Sequence, residues 1–288
     1  MRTNLALILM VLSVHFLPGF AAAANPIKTI LISDIDDTIK DTQVRPADTS
    51  MAAKTSQSWH LMNSFFNAND SFIGISSAYM ALAANGLEVH YVSGSLEIFG
   101  TLAERFLQSS GFPEGHLWLR PDLETSIEDF KIAQIQKIML SQPQAEFIMI
   151  GDNGQRDVTV YRKLKADPRF KNRIREVYIH HLYSKSIGET LAPEQKTFIS
   201  AADLSLQLFQ SGRLTEGQTF QILKIVDQGI GSQFQGIQQR TFPAYETIDM
   251  KDLAWLHNYE EQIQSPTLRS LFHKILSQLW KKGLGRTN

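Results

Sequence analysis

The 288-residue sequence contains no cysteine. Neither a disulfide nor a lipid-modified cysteine is therefore available to it, and the fold must rest on its core alone. It also lacks an excess of either charge: 28 Lys and Arg stand against 29 Asp and Glu, a formal net charge of −1. That balance gives no broadly basic surface and excludes nucleic acid as an expected partner. Internal repeats and low-complexity tracts are absent as well. What remains is ordinary for a globular chain, with 43% apolar and 20% charged residues, so gross disorder is not expected.

The N-terminus has a recognisable grammar. Arg2 precedes an apolar run from Leu5 to Leu12, followed by Phe16-Leu17-Pro18-Gly19-Phe20 and Ala21-Ala22-Ala23-Ala24. A positive start, a short apolar centre and a small-residue end predict a secretory signal peptide over residues 1–24, cleaved after Ala22 or Ala24. His15, Pro18 and Gly19 leave the run short for a membrane span, with an uncleaved anchor as the alternative. An exported chain without cysteine fits a bacterial envelope, so a periplasmic or secreted location is expected.

Lys28 to Thr38 organises the rest. Thr29 to Ile32 is short, apolar and β-branched, a buried strand by pattern, and it runs into Asp34, Asp36 and Asp37. A sheet interior would not hold those charges unpaired, since desolvation costs several kcal/mol apiece. They belong just past the strand's carboxyl end, where open α/β sheets place ligands. A helix-capping cluster is the bland alternative.

Further strands are expected at 87–92, 116–120, 146–150 and 175–180, the last of them, with helices at 77–85, 96–109, 126–140 and 158–165. Strands alternating with helices predict an α/β fold with a doubly wound, mostly parallel sheet. Between the first two strands, Trp59, Leu61, Met62, Phe65 and Phe66 approximate helical spacing and predict a small inserted flap. From Ser200 onward strand signals stop. Helices are expected at 201–210, 215–227, 253–262 and 266–280, which divides the chain into an α/β domain over 25–198 and a helical extension over 199–288. The final helix carries a stripe of Leu268, Leu271, Phe272, Ile275, Leu276, Leu279 and Trp280, with Lys274, Lys281, Lys282 and Arg286 as its charges. Such a helix either packs on the domain or makes peripheral contact with an anionic membrane.

Three strands end in polar turns, Asp34-Ile35-Asp36, Ser93-Gly94-Ser95 and Gly151-Asp152, and a parallel sheet brings such ends to one edge. Asp34 and Asp152, with Asp157, are hard oxygen ligands suited to Mg2+. Alternation along an extended strand would put Asp34 and Asp36 on one side, where two carboxylates divide the work of nucleophile and proton carrier. The Ser93 hydroxyl and the N–H groups of the turn at Gly94 would cradle an anionic oxygen. Lys131 would supply positive charge where negative charge develops. The assembly suits phosphoryl chemistry. For Lys131 the bland reading is a solvated helix lysine, and for Asp157 a helix N-cap. His180 and His181 point to opposite faces, so at most one lines the site, and Arg120 either meets phosphate or pairs at the surface.

In order and placement, Asp34-Ile35-Asp36-Asp37-Thr38, Ser93, Lys131 and Gly151-Asp152 with Asp157 resemble the four motifs of the haloacid dehalogenase superfamily. More narrowly, Ser33 to Lys40, His90-Tyr91-Val92-Ser93, Gly111 to Gly115 and Phe147 to Gln155 with Tyr161 resemble the actin-patch-associated phosphatidate phosphatase catalytic domain, over about residues 27–182. The resemblance implies a haloacid dehalogenase-like Rossmannoid fold. It implies Asp34 as nucleophile and Asp36 as acid and base, with Ser93 and Lys131 holding phosphoryl oxygens. It implies Mg2+ on Asp34, the Asp36 main-chain carbonyl and Asp152, near Asp157. The substrate it implies is a phosphorylated lipid such as phosphatidate. Two departures stand out: Gly94-Ser95-Leu96 replaces the family's Asn-Ser-Pro type of turn, and His180 stands where an Arg is usual. Alternatives are a phosphatase of small soluble esters and an inactive phospholipid- or metal-binding envelope protein. The same Asp34-Ile35-Asp36-Asp37 spacing serves some terpene cyclases, but those are all-helical.

Overall fold

The computed structural model describes residues 27–42, 71–183, 188–232 and 255–279. The expected signal peptide, the flap around Trp59 to Phe66, and Trp280 with Lys281, Lys282 and Arg286 lie outside the described residues. The strands are β1 (Thr29–Ser33), β2 (Glu88–Leu96), β3 (His116–Arg120), β4 (Glu146–Asp152), β5 (Ile174–His180) and β6 (Lys196–Phe198). They form a parallel sheet in the order β3-β2-β1-β4-β5-β6. The helices are α1 (Ile75–Ala84), α2 (Gly100–Ser109), α3 (Ile127–Ser141), α4 (Asp157–Ala166), α5 (Ala201–Gln210), α6 (Glu216–Ser232), α7 (Trp255–Glu261) and α8 (Pro266–Leu279). This is the expected doubly wound α/β sheet.

Alternation along β1 divides the interior in two. Ile30 and Ile32 meet Ile135, Ile138 and Met139 of α3 and Val160, Tyr161 and Leu164 of α4. Leu31 points the other way, into a core shared by Tyr79 and Leu82 of α1, Leu204 and Leu208 of α5, Leu223 and Val226 of α6, and Phe272 and Ile275 of α8. The α8 stripe thus packs internally, with Leu268, Phe272, Ile275, Leu276 and Leu279 all buried. Among the described residues no helix is long and apolar enough to cross a membrane.

Two expectations need correction. The 175–180 strand is not the last, because β6 pairs with β5 at Tyr178↔Lys196, Ile179↔Thr197 and His180↔Phe198. Three residues with one buried side chain carry too little period to be read, so pairing alone makes them a strand. Ser93-Gly94-Ser95 is not a turn after β2 but the strand's own continuation, with a register shift against β3 between Ser93 and Leu96.

Helix starts follow local chemistry. Ser126 accepts from the Asp129 amide at 3.0 Å and caps α3. Ser200 and Asp203 form a capping box on α5.

Candidate active site

β1 ends at Ser33, whose hydroxyl meets the Tyr79 hydroxyl at 2.8 Å on the α1 side of the sheet. Asp34 continues the alternation toward α3 and α4, and its amide donates to Ile150 O on β4 at 3.0 Å. The chain then folds into a tight loop, with the Ile39 and Lys40 amides both donating to Ile35 O at 3.0 Å. Asp37 sits there at φ 61°, a left-handed conformation that Asp tolerates better than most residues. Its Oδ1 accepts from the Thr42 amide at 3.0 Å and the Thr42 hydroxyl at 2.8 Å. Asp37 therefore shapes the loop. Because the strand has ended, the loop and not strand alternation places Asp36, which corrects that part of the expectation.

Asp34 and Asp36 face different neighbours. Lys131 Nζ donates to Asp34 Oδ1 at 2.8 Å and to Asp157 Oδ1 at 2.6 Å, and the Thr38 hydroxyl donates to Asp34 Oδ2 at 3.1 Å. Asp36 Oδ2 receives the hydroxyls of Ser93 at 2.9 Å and Ser95 at 2.6 Å, and its Oδ1 is buried without a hydrogen-bond partner. Burial first, then the charge of Asp34, raises the Asp36 carboxyl above the ordinary range, against the pull of Ser95, Ser93 and Lys40. Such an acid holds its proton well.

Lys131 is 1% exposed. It stands one turn before Ile135 on the inward stripe of α3, so the solvated-lysine reading fails. Burial works to lower its ammonium, but Asp157, Asp34 and Asp152 outweigh that and keep it firmly charged. Asp157 is not the N-cap of α4 either. Arg156 holds that place at φ 77°, and Asp157 turns back to accept from the Asp152 amide at 3.2 Å. This approach needs Gly151, since a Cβ there would lie 2.6 Å from Asp157 Cβ. Gly94 works similarly against α3, where a Cβ would lie 2.9 Å from Ile127 Cγ2.

The structure brings together carboxylate oxygens of Asp34, Asp152 and Asp157 within 4.8 Å of one another. Of the four expected metal residues, Asp36 alone stays outside this cluster by its side chain. Asp152 Oδ1 accepts from the amides of Gly154 at 2.5 Å and Gln155 at 2.9 Å, while Oδ2 is buried without a partner. Burial, then Asp157 and Asp34, pushes Asp152 well above the carboxylate range. Burial likewise pushes Asp157 up to about 7, although Lys131 opposes it. Three buried carboxylates with one ammonium carry two uncompensated negative charges when ionised. A hard divalent cation fits that deficit and the orphaned oxygen.

Sequence reasoning missed Ser95 and Asn153. Ser95 was reachable, since residues two apart on an extended strand share a face, but its turn assignment hid this. Asn153 Oδ1 accepts from the amides of Leu182 at 2.9 Å and Tyr183 at 3.1 Å, tying the loop after β5 to the end of β4. Among the histidines, His180 is core: Nδ1 meets Thr38 O at 3.1 Å, Nε2 meets Ile199 O at 3.3 Å, and the ring stacks on Phe198. Arg120 donates to Thr125 O at 3.0 Å, in the loop leading to α3.

The model of the family "Phosphatidate phosphatase APP1, catalytic domain" matches residues 29–181. Phosphatidate phosphatase APP1 of Saccharomyces cerevisiae is 31% identical over 159 residues, 52% of this chain. The chain spans 25% of the length of that relative. Among solved structures, the class C acid phosphatase of Bacillus anthracis with tungstate bound has a TM-score of 0.32 and 16% identity, over 44% of this chain and 52% of that one. A second structure of that enzyme has a TM-score of 0.31 and 14% identity over the same shares. Likeness of that degree bears on no point of chemistry. The family match is different in kind: it takes in more than half of the chain, and Asp34, Asp36, Ser93, Lys131, Asp152 and Asp157 all fall inside it. The chain belongs to the family of the phosphatidate phosphatase APP1 catalytic domain.

Proposed function

We propose that this chain is a Mg2+-dependent phosphomonoesterase that works through an aspartyl-phosphate, with a lipid phosphate such as phosphatidate as substrate. The observation that carries the reading is the division of labour between two buried carboxylates one residue apart. Asp34 accepts from the Lys131 ammonium and the Thr38 hydroxyl, whereas Asp36, whose carboxyl burial raises above the ordinary range, accepts from the Ser93 and Ser95 hydroxyls through one oxygen and leaves the other open.

Asp34 attacks phosphorus and the bond to the leaving oxygen breaks. Asp36 gives that oxygen its proton and releases it as an alcohol, diacylglycerol where the substrate is phosphatidate. Asp36 then takes a proton from water, whose oxygen attacks the phosphorus of the acyl phosphate, freeing inorganic phosphate and restoring Asp34. Ser93, the Gly94 amide and Lys131 hold phosphoryl oxygens through the cycle. Ser95 keeps Asp36 turned toward the leaving group. Asp34, Asp152, Asp157 and the Asp36 carbonyl would hold the Mg2+, which when bound offsets the charge on phosphate and carboxylates.

Export rests on the Arg2, apolar and alanine pattern of the first 24 residues. Any membrane contact by α8 would use its polar face, because its apolar stripe is buried.

The test is phosphate release from phosphatidate in mixed micelles, beside a soluble phosphomonoester, with Mg2+ or a chelator and with Asp34→Asn. Release that needs Mg2+, disappears in the variant and favours the lipid is expected. Turnover of the soluble ester alone would replace the lipid assignment with a scavenging phosphatase. Lack of release from both would leave a binding protein.

A further inference from the structure

The far end of β2 carries another constellation, on the α3 side of the sheet but at the opposite end from the carboxylates. We propose that Glu88, His90 and His116 form a second metal site, for a borderline transition ion of the Zn2+ class. Glu88 and His90 are two apart on β2 and so share a face, and the register pairs His90 with His116 on β3. Their rings lie 4.7 Å apart, and one ligand atom from each of the three residues falls within 4.8 Å of the others. A tetrahedral site with bonds near 2.1 Å holds its ligand atoms about 3.4 Å apart. Small rotations of the exposed His116 and half-buried Glu88 close that gap. Two imidazoles and one carboxylate favour Zn2+ over the harder Mg2+.

Trp118 supplies a built-in reporter. Its Nε1 lies 3.1 Å from His90 Nδ1, and an indole N–H can only donate, so Nδ1 accepts. The His90 proton is therefore on Nε2, which donates to Glu88 Oε1 at 2.7 Å. Lys28 holds the other Glu88 oxygen at 2.6 Å. Metal binding at Nε2 moves that proton to Nδ1, with no net release, and sets two donors face to face. Trp118 must then turn away. A cleft of about 360 Å³ lined by Leu87, Glu88, Val89, Glu114, Gly115 and His116 keeps the site open to solvent, with room for a water as a further ligand.

The experiment is a Zn2+ titration of the full chain in saturating Mg2+, followed by calorimetry and tryptophan emission. Wild type is expected to bind one Zn2+ with a change in emission. Trp118→Phe keeps the binding and loses the change. His116→Ala and Glu88→Gln weaken Zn2+ binding at least tenfold while leaving the melting temperature in Mg2+ unaltered, which separates a lost ligand from a lost fold. Absence of micromolar Zn2+ binding in wild type would overturn the proposal. So would binding that survives both His116→Ala and Glu88→Gln but is lost in Asp152→Asn. The outcome is independent of whether the carboxylate centre hydrolyses phosphate esters.

Discussion

On the face covered by α3 and α4, the apolar column of Ile30, Ile32 and Met149 gives way at the sheet's carboxyl edge to Asp34, Lys131 and Asp157. On the other face, the core from Leu31 through Leu204, Val226 and Phe272 stays apolar out to α8, well past the last residue of the family match. One layer holds charge in a dry place, and the other contributes burial. Desolvated charges cost free energy that only a large apolar area offsets. The C-terminal helices thus help the sheet tolerate a site that does not favour its own folding.

That contrast can be broken from either side. Lys131→Met should do the most damage, because it leaves buried carboxylates without their ammonium. A loss of about 3–5 kcal/mol is expected in urea unfolding, together with loss of turnover in whatever fraction folds. Phe272→Ala, from the opposite layer, should cost about 3–5 kcal/mol yet leave kcat/KM unchanged well below the melting temperature. A fall in kcat/KM there would show that the helical layer shapes the site.

His180, packed between Phe72 and Phe198 of the apolar layer, supplies a pH test. Burial lowers its imidazole to about 4 from an ordinary 6.5, with the Thr38 and Ile199 carbonyls opposing. A depressed histidine contributes stability that is full above pH 6.5 and lost as pH falls through 4, about 3 kcal/mol in all. Unfolding free energies measured from pH 7 to pH 4 should fall, and His180→Asn should flatten that slope. An unchanged slope would assign the acid sensitivity to other groups.

Two smaller effects sharpen the charged layer. Mg2+ should raise the melting temperature by binding the native state alone, and Asp152→Asn should abolish the rise in a thermal melt. Ser95→Ala should cost about 1–2 kcal/mol, the loss of one hydrogen bond to a carboxyl. It should also move the pH profile of kcat, since Asp36 Oδ2 loses its shorter partner.

The elements that were legible had strong local period. Thr29 to Ile32, His116 to Arg120 and Ala201 to Gln210 are found where pattern places them, because burial on one side forces repetition within a few residues. Asp34 and Asp36 were legible too, since charges at a strand's end have few places to go. Pattern did not reach β6, whose three residues are strands only by pairing, nor the bulged run from Ser93 to Leu96 that brings Ser95 onto Asp36.

By itself the sequence determined the α/β alternation, the strand ends that carry the acids and the stripe of α8. The tertiary structure decided that Lys131, 97 residues from Asp34, is a buried bridge and not a solvated lysine. It decided that Asp157 turns back from its helix, and that the α8 stripe faces the sheet's core. The physical reason is one of range. Period and capping act within a few residues, whereas desolvation and charge pairing depend on which distant segments the folded sheet brings together.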